Sequence, residues 1–198
     1  MARLEQIIGT NIVDDIRLGH TWHEVQVLKG IIESEKPEWF IEVGVHEGGL
    51  SYILIQNFPD MNYLGIELNC DYVRPNVQEV YEKYSKTLHC GDCFDPVLLK
   101  RIQKLPRKIV YCDGGNKVEE LIIYKNIVSP SDLIFCHDYH DGVRKVREVP
   151  PEHIHPEVLP IDIVHMDTDD LFVRYPEYIL NKTRIVGWRK LYHQRVPA

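Results

Sequence analysis
The chain has 198 residues, 44% of them hydrophobic and 27% charged, with a formal net charge of −7. That length suits one domain with a real core, and the composition is that of an ordinary soluble globular protein. The acidic balance argues against nucleic acid or an anionic membrane surface as partner, since both need a dense basic footprint. Arg144, Lys145 and Arg147 are the nearest thing to a basic patch and read as a solvated helix face.

The start, "MARLEQIIGT", lacks the apolar core of a signal peptide, and no stretch nears the roughly 18 apolar residues of a membrane span. Five cysteines, an odd number with no secretory signal, lead to an expectation of reduced thiols in a cytoplasmic protein. Cys90 and Cys93 form one C-x-x-C, without the second pair a zinc site would need.

In chain order, residues 22–34 place Trp22, Val25, Leu28, Ile31 and Ile32 on one helical face, and Pro37 ends that helix. A repeating pattern follows. Apolar runs at 39–45, 62–68, 87–90, 108–113 and 132–138 alternate with helix-like stretches near 49–57, 73–85, 95–104 and 117–128. Runs apolar throughout suit strands buried on both faces, and their alternation with helices implies a parallel sheet covered on both sides. The fold class is therefore α/β and doubly wound. Further strands are expected near 161–166, 171–175 and 183–189, on one sheet edge of a single domain.

In such sheets ligands lie beyond the carboxyl ends of the strands. Those ends carry Glu42-x-Gly44-x-x-x-Gly48-Gly49, then Glu67, Asp92, Asp113 and His137-Asp138. A dinucleotide loop would need its middle glycine where His46 stands, so a nicotinamide-dependent oxidoreductase is disfavoured. A glycine turn with a carboxylate, followed by an acid ending the next strand, suits a nucleoside with a ribose and no pyrophosphate.

The ordered stretches "IEVGVHEGGLSYIL", "YLGIELN", "LHCGDCFD", "YCDGGNK" and "FCHDY" resemble class I S-adenosylmethionine-dependent methyltransferases. They are most similar to small-molecule O-methyltransferases of the cephalosporin-hydroxylase-type and catechol-type branch, over about residues 22–140. The resemblance implies a Rossmann-like, seven-stranded, mostly parallel sheet with one antiparallel strand and helices on both faces. It divides the chain into an N-terminal helical lid (about 1–36), a cofactor-binding core (about 37–140) and a C-terminal sheet edge with substrate loops (about 141–198).

The resemblance also assigns roles. Glu42, Gly44 and His46 would line the methionine part of S-adenosylmethionine, with Gly48 packing behind. Glu67 and Leu68 would meet the ribose and its neighbourhood, and Asp92 with Cys93 the adenine. Asp113, His137 and Lys117 would act on the acceptor, a small-molecule hydroxyl. Metal-dependent members hold magnesium with acids at the positions of Asp113, His137 and Asp138. A histidine there leaves two alternatives: a softer divalent metal, or no metal and His137 as general base. The segment "DGGNK" carries Asn116 where the nearest branch has histidine. His140, His153, His155 and His165 are expected in a loop over the pocket or on the surface, and Trp22 and His23 in a lid. A catalytically inactive cofactor-binding module, a subunit of a larger assembly and a homo-oligomer all stay open.

Overall fold
The computed structural model describes residues 12–139, 158, 160–167, 169, 171–176 and 183–191. Ile12–Val13 (β1) and Ile16–Arg17 (β2) form a small antiparallel hairpin, where the sequence led to a helical lid. Trp22–Glu35 (α1) starts at a capping box in which Thr21 caps the Glu24 N–H and the Glu24 carboxylate takes the Thr21 N–H. It stops at Lys36 in the left-handed region (φ 48°), one residue before Pro37.

The core then alternates Trp39–Val43 (β3), Gly49–Asn57 (α2), Asn62–Glu67 (β4), Pro75–Lys83 (α3), Thr87–Cys90 (β5), Pro96–Gln103 (α4), Lys108–Cys112 (β6), Lys117–Tyr124 (α5) and Leu133–Cys136 (β7). Proline opens α3 and α4 at their first turn, where its missing N–H costs nothing. Asp95 and Asn116 cap α4 and α5. After Val164–Asp167 (α6), Phe172–Arg174 (β8) and Val186–Lys190 (β9) complete a seven-stranded sheet in the order β5-β4-β3-β6-β7-β9-β8. β9 runs antiparallel to β7 and to β8, and the other pairings are parallel. The expected sheet is thus present, with its single reversed strand.

Alternate residues of the central strands feed two cores. Phe40, Tyr63, Ile109, Tyr111, Leu133 and Phe135 pack on one face with α1 to α3. Ile41, Val43, Leu64, Ile66, Val110, Ile134 and Cys136 pack on the other with α5 and α6. Among the described residues, no helix is long and apolar enough to cross a membrane.

Two expectations are corrected. The strand expected near 161–166 is a 3-10 turn, Pro160–Ile163, running into α6. Ile163 and Met166, three residues apart, are both fully buried, which is helical rather than strand spacing. The thiols are not all reduced: Cys70 and Cys90 form a disulfide, so Cys90 does not act with Cys93 as a C-x-x-C pair. Register explains it. Cys90 lies opposite Glu67 at the end of β4, which brings it level with the turn that carries Cys70.

Candidate active site
The carboxyl ends of β3 to β7 gather the residues singled out above. The β3 turn depends on glycine twice. At Gly44 (φ 88°) a β-carbon would lie 2.6 Å from the Asp113 carbonyl oxygen, so the turns after β3 and β6 touch backbone to backbone. At Gly48 (φ 91°) it would lie 2.5 Å from a Val77 methyl, which lets α3 pack behind the turn. His46 adopts a positive φ (52°) and gives its N–H to the Glu67 carboxylate at 2.8 Å. Its ring stacks on Tyr72. The Asn69 N–H holds the other Glu67 oxygen at 3.2 Å, so two backbone donors fix this carboxylate at the rim.

Leu68 and Tyr72 stand exposed beside it. At the end of β5, Asp92 is exposed and accepts the Phe94 N–H (2.9 Å). Burial pushes the neighbouring Cys93 thiol up to about 12, which makes it a poor nucleophile. Glu42 does not reach the rim. It is 1% exposed and accepts hydrogen bonds from Ser51 and from Tyr63 (2.7 Å) inside the first core. Gly65, opposite Glu42 on β4, leaves the room that the Tyr81 hydroxyl fills beside Ser51.

Asp113, Lys117, His137 and Asp138 come together at the ends of β6 and β7. The Asp113 Oδ1 atom faces His137 Nδ1 at 2.9 Å and the Lys117 ammonium at 3.6 Å. Lys117, 4% exposed, also reaches Asp138 Oδ2 (3.1 Å) and donates to the Gly114 carbonyl (2.8 Å). Asn116, standing where the family's histidine would be, caps α5 through the Glu119 N–H. Gly114 leaves space for the Glu120 carboxylate, which takes the Gly114 N–H and is pushed up to about 7 by burial.

Four further residues enter this cluster unannounced by the sequence reading. His20, which precedes α1 and is 3% exposed, brings Nε2 to 3.2 Å from Asp113 Oδ2 and 2.9 Å from the Tyr111 hydroxyl. Its ring stacks on His137, with centroids 4.4 Å apart. Glu24, the capping acid of α1, faces His137 Nε2 at 3.6 Å and accepts the Arg184 N–H. The Arg184 guanidinium donates to Asp138 Oδ1 at 2.6 Å.

Charges in this buried place perturb one another strongly. Burial would lower the His137 imidazole, but the Asp113 carboxylate beside it and Glu24 behind it push it up to about 9. Burial would raise Asp113, and the two histidines hold it well below the usual carboxylate range. Lys117 is raised in turn, against its own burial, by Asp113 and Asp138.

All four oxygens of Asp113 and Asp138 therefore face a protein cation or an imidazole. A magnesium ion, which takes hard oxygen ligands, does not fit this arrangement. His165, by contrast, sits in α6 and bonds the Asp162 carbonyl. Trp22 is half-buried against the first core and His23 is exposed. His140, His153 and His155 lie outside the described residues, as do Arg144, Lys145 and Arg147.

No family model matches the chain. Its similarity to known proteins includes "Probable inactive O-methyltransferase 11" of Dictyostelium discoideum, 28% identical over 138 residues. That alignment covers 64% of this chain and 38% of the relative, so the chain spans well under half the length of that protein. Among solved structures, the apo form of CmcI superposes with a TM-score of 0.66 at 14% identity, over 91% of this chain and 76% of CmcI. A CmcI structure with Mg-SAM superposes at 0.52 and 17% identity, over 63% of this chain and 56% of that one. The O-methyltransferase TomG from Streptomyces achromogenes, in complex with SAM, superposes at 0.51 and 15% identity, over 62% and 58%. The seven-stranded sheet, its reversed strand and these superpositions give the chain the fold of the class I S-adenosylmethionine-dependent methyltransferases.

Proposed function
We propose that this chain is an S-adenosylmethionine-dependent methyltransferase acting on the hydroxyl of a small molecule. One observation carries the reading: the Asp113 turn lies backbone to backbone against Gly44, so the buried acid and histidine cluster adjoins the open glycine turn. The turn itself favours a nucleoside over a dinucleotide. The His46 N–H, which a pyrophosphate would need, is committed to Glu67, and the Glu67 carboxylate is held ready for ribose hydroxyls. Leu68 and Tyr72 would cover the adenosine, with Asp92 at the adenine edge. The acidic chain and the small-molecule enzymes of like fold support a small acceptor rather than nucleic acid.

Bound S-adenosylmethionine supplies an electrophilic methyl on a sulfonium, so the protein's work is alignment and handling of the acceptor proton. Lys117 would hold the acceptor oxygen, and the Asp113–His137 pair would take its proton as the oxygen attacks the methyl carbon and S-adenosylhomocysteine leaves. Asp113, bridging Lys117 and His137, would fix both in place. No step here runs through magnesium. The Cys70–Cys90 bond favours a setting that is not strongly reducing.

Calorimetry with S-adenosylmethionine, S-adenosylhomocysteine and NAD tests the cofactor. Binding of both sulfur nucleotides and not NAD is expected, and a folded protein that binds neither refutes the reading. The second reading, a cofactor-binding module without turnover, is favoured by the pairing of every charged group at the acceptor end and by the word "inactive" in the relative's name. It predicts cofactor binding with no methyl transfer to any of a panel of phenols and sugars.

A further inference from the structure
We propose that His20, Asp113 and His137 form a binding site for a borderline divalent transition cation such as Zn²⁺. Their donor atoms all lie within 4.8 Å of one another, and each Asp113 oxygen faces one imidazole nitrogen, at 2.9 Å and 3.2 Å. Adjacent donors around tetrahedral zinc stand about 3.3 Å apart, close to both carboxylate–imidazole distances.

The far nitrogens of both rings argue for the same site. His20 Nδ1 lies 3.0 Å from the Leu18 carbonyl, which makes that nitrogen the donor there and leaves Nε2 as the nitrogen that faces Asp113. His137 Nε2 faces the buried Glu24 carboxylate, which leaves Nδ1 as the inward donor. A metal-ligating histidine characteristically has its other nitrogen held by a carbonyl or a carboxylate, which sets tautomer and orientation. Here the far nitrogen of His20 is hydrogen-bonded to a carbonyl, and that of His137 faces a carboxylate at 3.6 Å.

Lys117 and Arg184 explain why Asp138 is not part of the set: they occupy its two oxygens. The ligand set thereby moves from Asp138 to His20, from mostly oxygen to two imidazoles and one carboxylate, which selects a softer ion than magnesium. Binding releases the proton shared between His137 Nδ1 and Asp113. Three protein donors leave a coordination position open, and only its use by an acceptor hydroxyl rests on the methyltransferase reading.

The test titrates metal-stripped protein with Co²⁺, read by visible d–d absorption, with Zn²⁺ as competitor. The wild type should bind one equivalent and yield it to Zn²⁺ but not to Mg²⁺. His20→Ala should weaken Co²⁺ binding about tenfold or more, and His20→Gln, which refills the space, should do the same with the thermal midpoint kept. A wild type that binds no Co²⁺, or binding equally strong in both His20 variants, overturns the proposal. Calorimetry with S-adenosylhomocysteine on the same samples separates the two ideas. Nucleotide binding without a His20-dependent Co²⁺ site refutes the metal site alone, and the reverse result refutes the methyltransferase reading alone.

Discussion

Glu42→Gln is the substitution that most directly tests how the first turn works. Glu42 is a fully buried carboxyl whose hydrogen bonds come from two hydroxyls, Ser51 and Tyr63, and whose nearest charges, Asp113 and Glu67, are negative. Burial without a cation pushes it from 4.5 to about 8, despite those hydrogen bonds. The folded protein thus holds a proton that the unfolded chain releases. Between 4.5 and about 8 the folded state binds more protons, so this group's contribution to stability is full below 4.5 and falls as pH rises to 8. At about 1.4 kcal/mol per pH unit, the loss is about 3 kcal/mol near neutrality and up to about 5 kcal/mol above pH 8. Gln accepts the same two hydrogen bonds and carries no charge. Urea unfolding from about pH 5 to pH 8.5 should give similar stabilities at the acid end and an increasingly more stable variant at the alkaline end. The difference between the two curves isolates Glu42 from Glu120 and His137, which titrate in both proteins. Affinity for S-adenosylhomocysteine should not change. Parallel curves, or a variant that loses ground as pH rises, would show that Glu42 is ionised in the fold and refute this account of it.

The other expected outcomes are as follows. Reducing the Cys70–Cys90 bond, whose partners are 20 residues apart, should cost about 3 kcal/mol in the chain-entropy model and lower the thermal midpoint, with no effect of reductant on a Cys70→Ser protein. Asp132→Asn should cost about 3–5 kcal/mol in urea unfolding, because it strands the Lys108 ammonium, fully buried at 2.5 Å from Asp132 Oδ2; a loss under about 0.5 kcal/mol would count against it. Glu67→Ala should weaken S-adenosylhomocysteine binding by about 2–3 kcal/mol in calorimetry with the fold intact, since ribose hydroxyls and two backbone N–H groups lose one acceptor. Glu24→Gln should keep α1, because Gln also completes a capping box, yet cost about 3–5 kcal/mol by removing the carboxylate behind His137 and under Arg184. A loss no larger than that of an exposed cap, about 1 kcal/mol, would show the charge to be idle.

The central sheet was legible because it is a local signal repeated: each buried strand is an apolar run, and between them lie helical stretches, with a proline, aspartate or asparagine at the start of α3, α4 and α5. The strand-end acids were legible for the same reason, being fixed by position in the chain. What could not be read was depth and partnership. Glu42 and Glu67 both lie near glycine turns and on the same sheet face, yet one is buried in a core and the other stands at the rim; depth along the strand decides, since Glu42 lies inside β3 opposite Gly65 whereas Glu67 is the last residue of β4. The stretch at 161–166 was misread because its apolar residues satisfy either period, and only packing against the sheet chooses. Cys70 and Cys90 are joined by strand register, which no spacing rule reports.

The least legible part of the site, its N-terminal contribution, follows from one contact. A β-carbon at Gly49 would lie 2.5 Å from the Arg17 carbonyl oxygen and the Leu18 Cα, so the chain after β2 is laid directly on the start of α2. The Arg17 N–H bonds Glu47 of the same turn (3.2 Å), and Val13, Ile16 and Leu18 bury their side chains in the first core. With the segment fixed there, the next residues have little freedom. His20 is carried over Asp113, and Thr21 must begin α1 where Glu24 meets His137. In "LGHTWHE" the sequence displays a helix cap and hides a site, because capping is decided within four residues whereas the approach of His20 to Asp113 depends on a glycine some thirty residues further on. Gly44 and Gly49, at the two ends of one turn, thus do different work. The first admits the acid of β6, and the second admits the strand that brings the histidine to it.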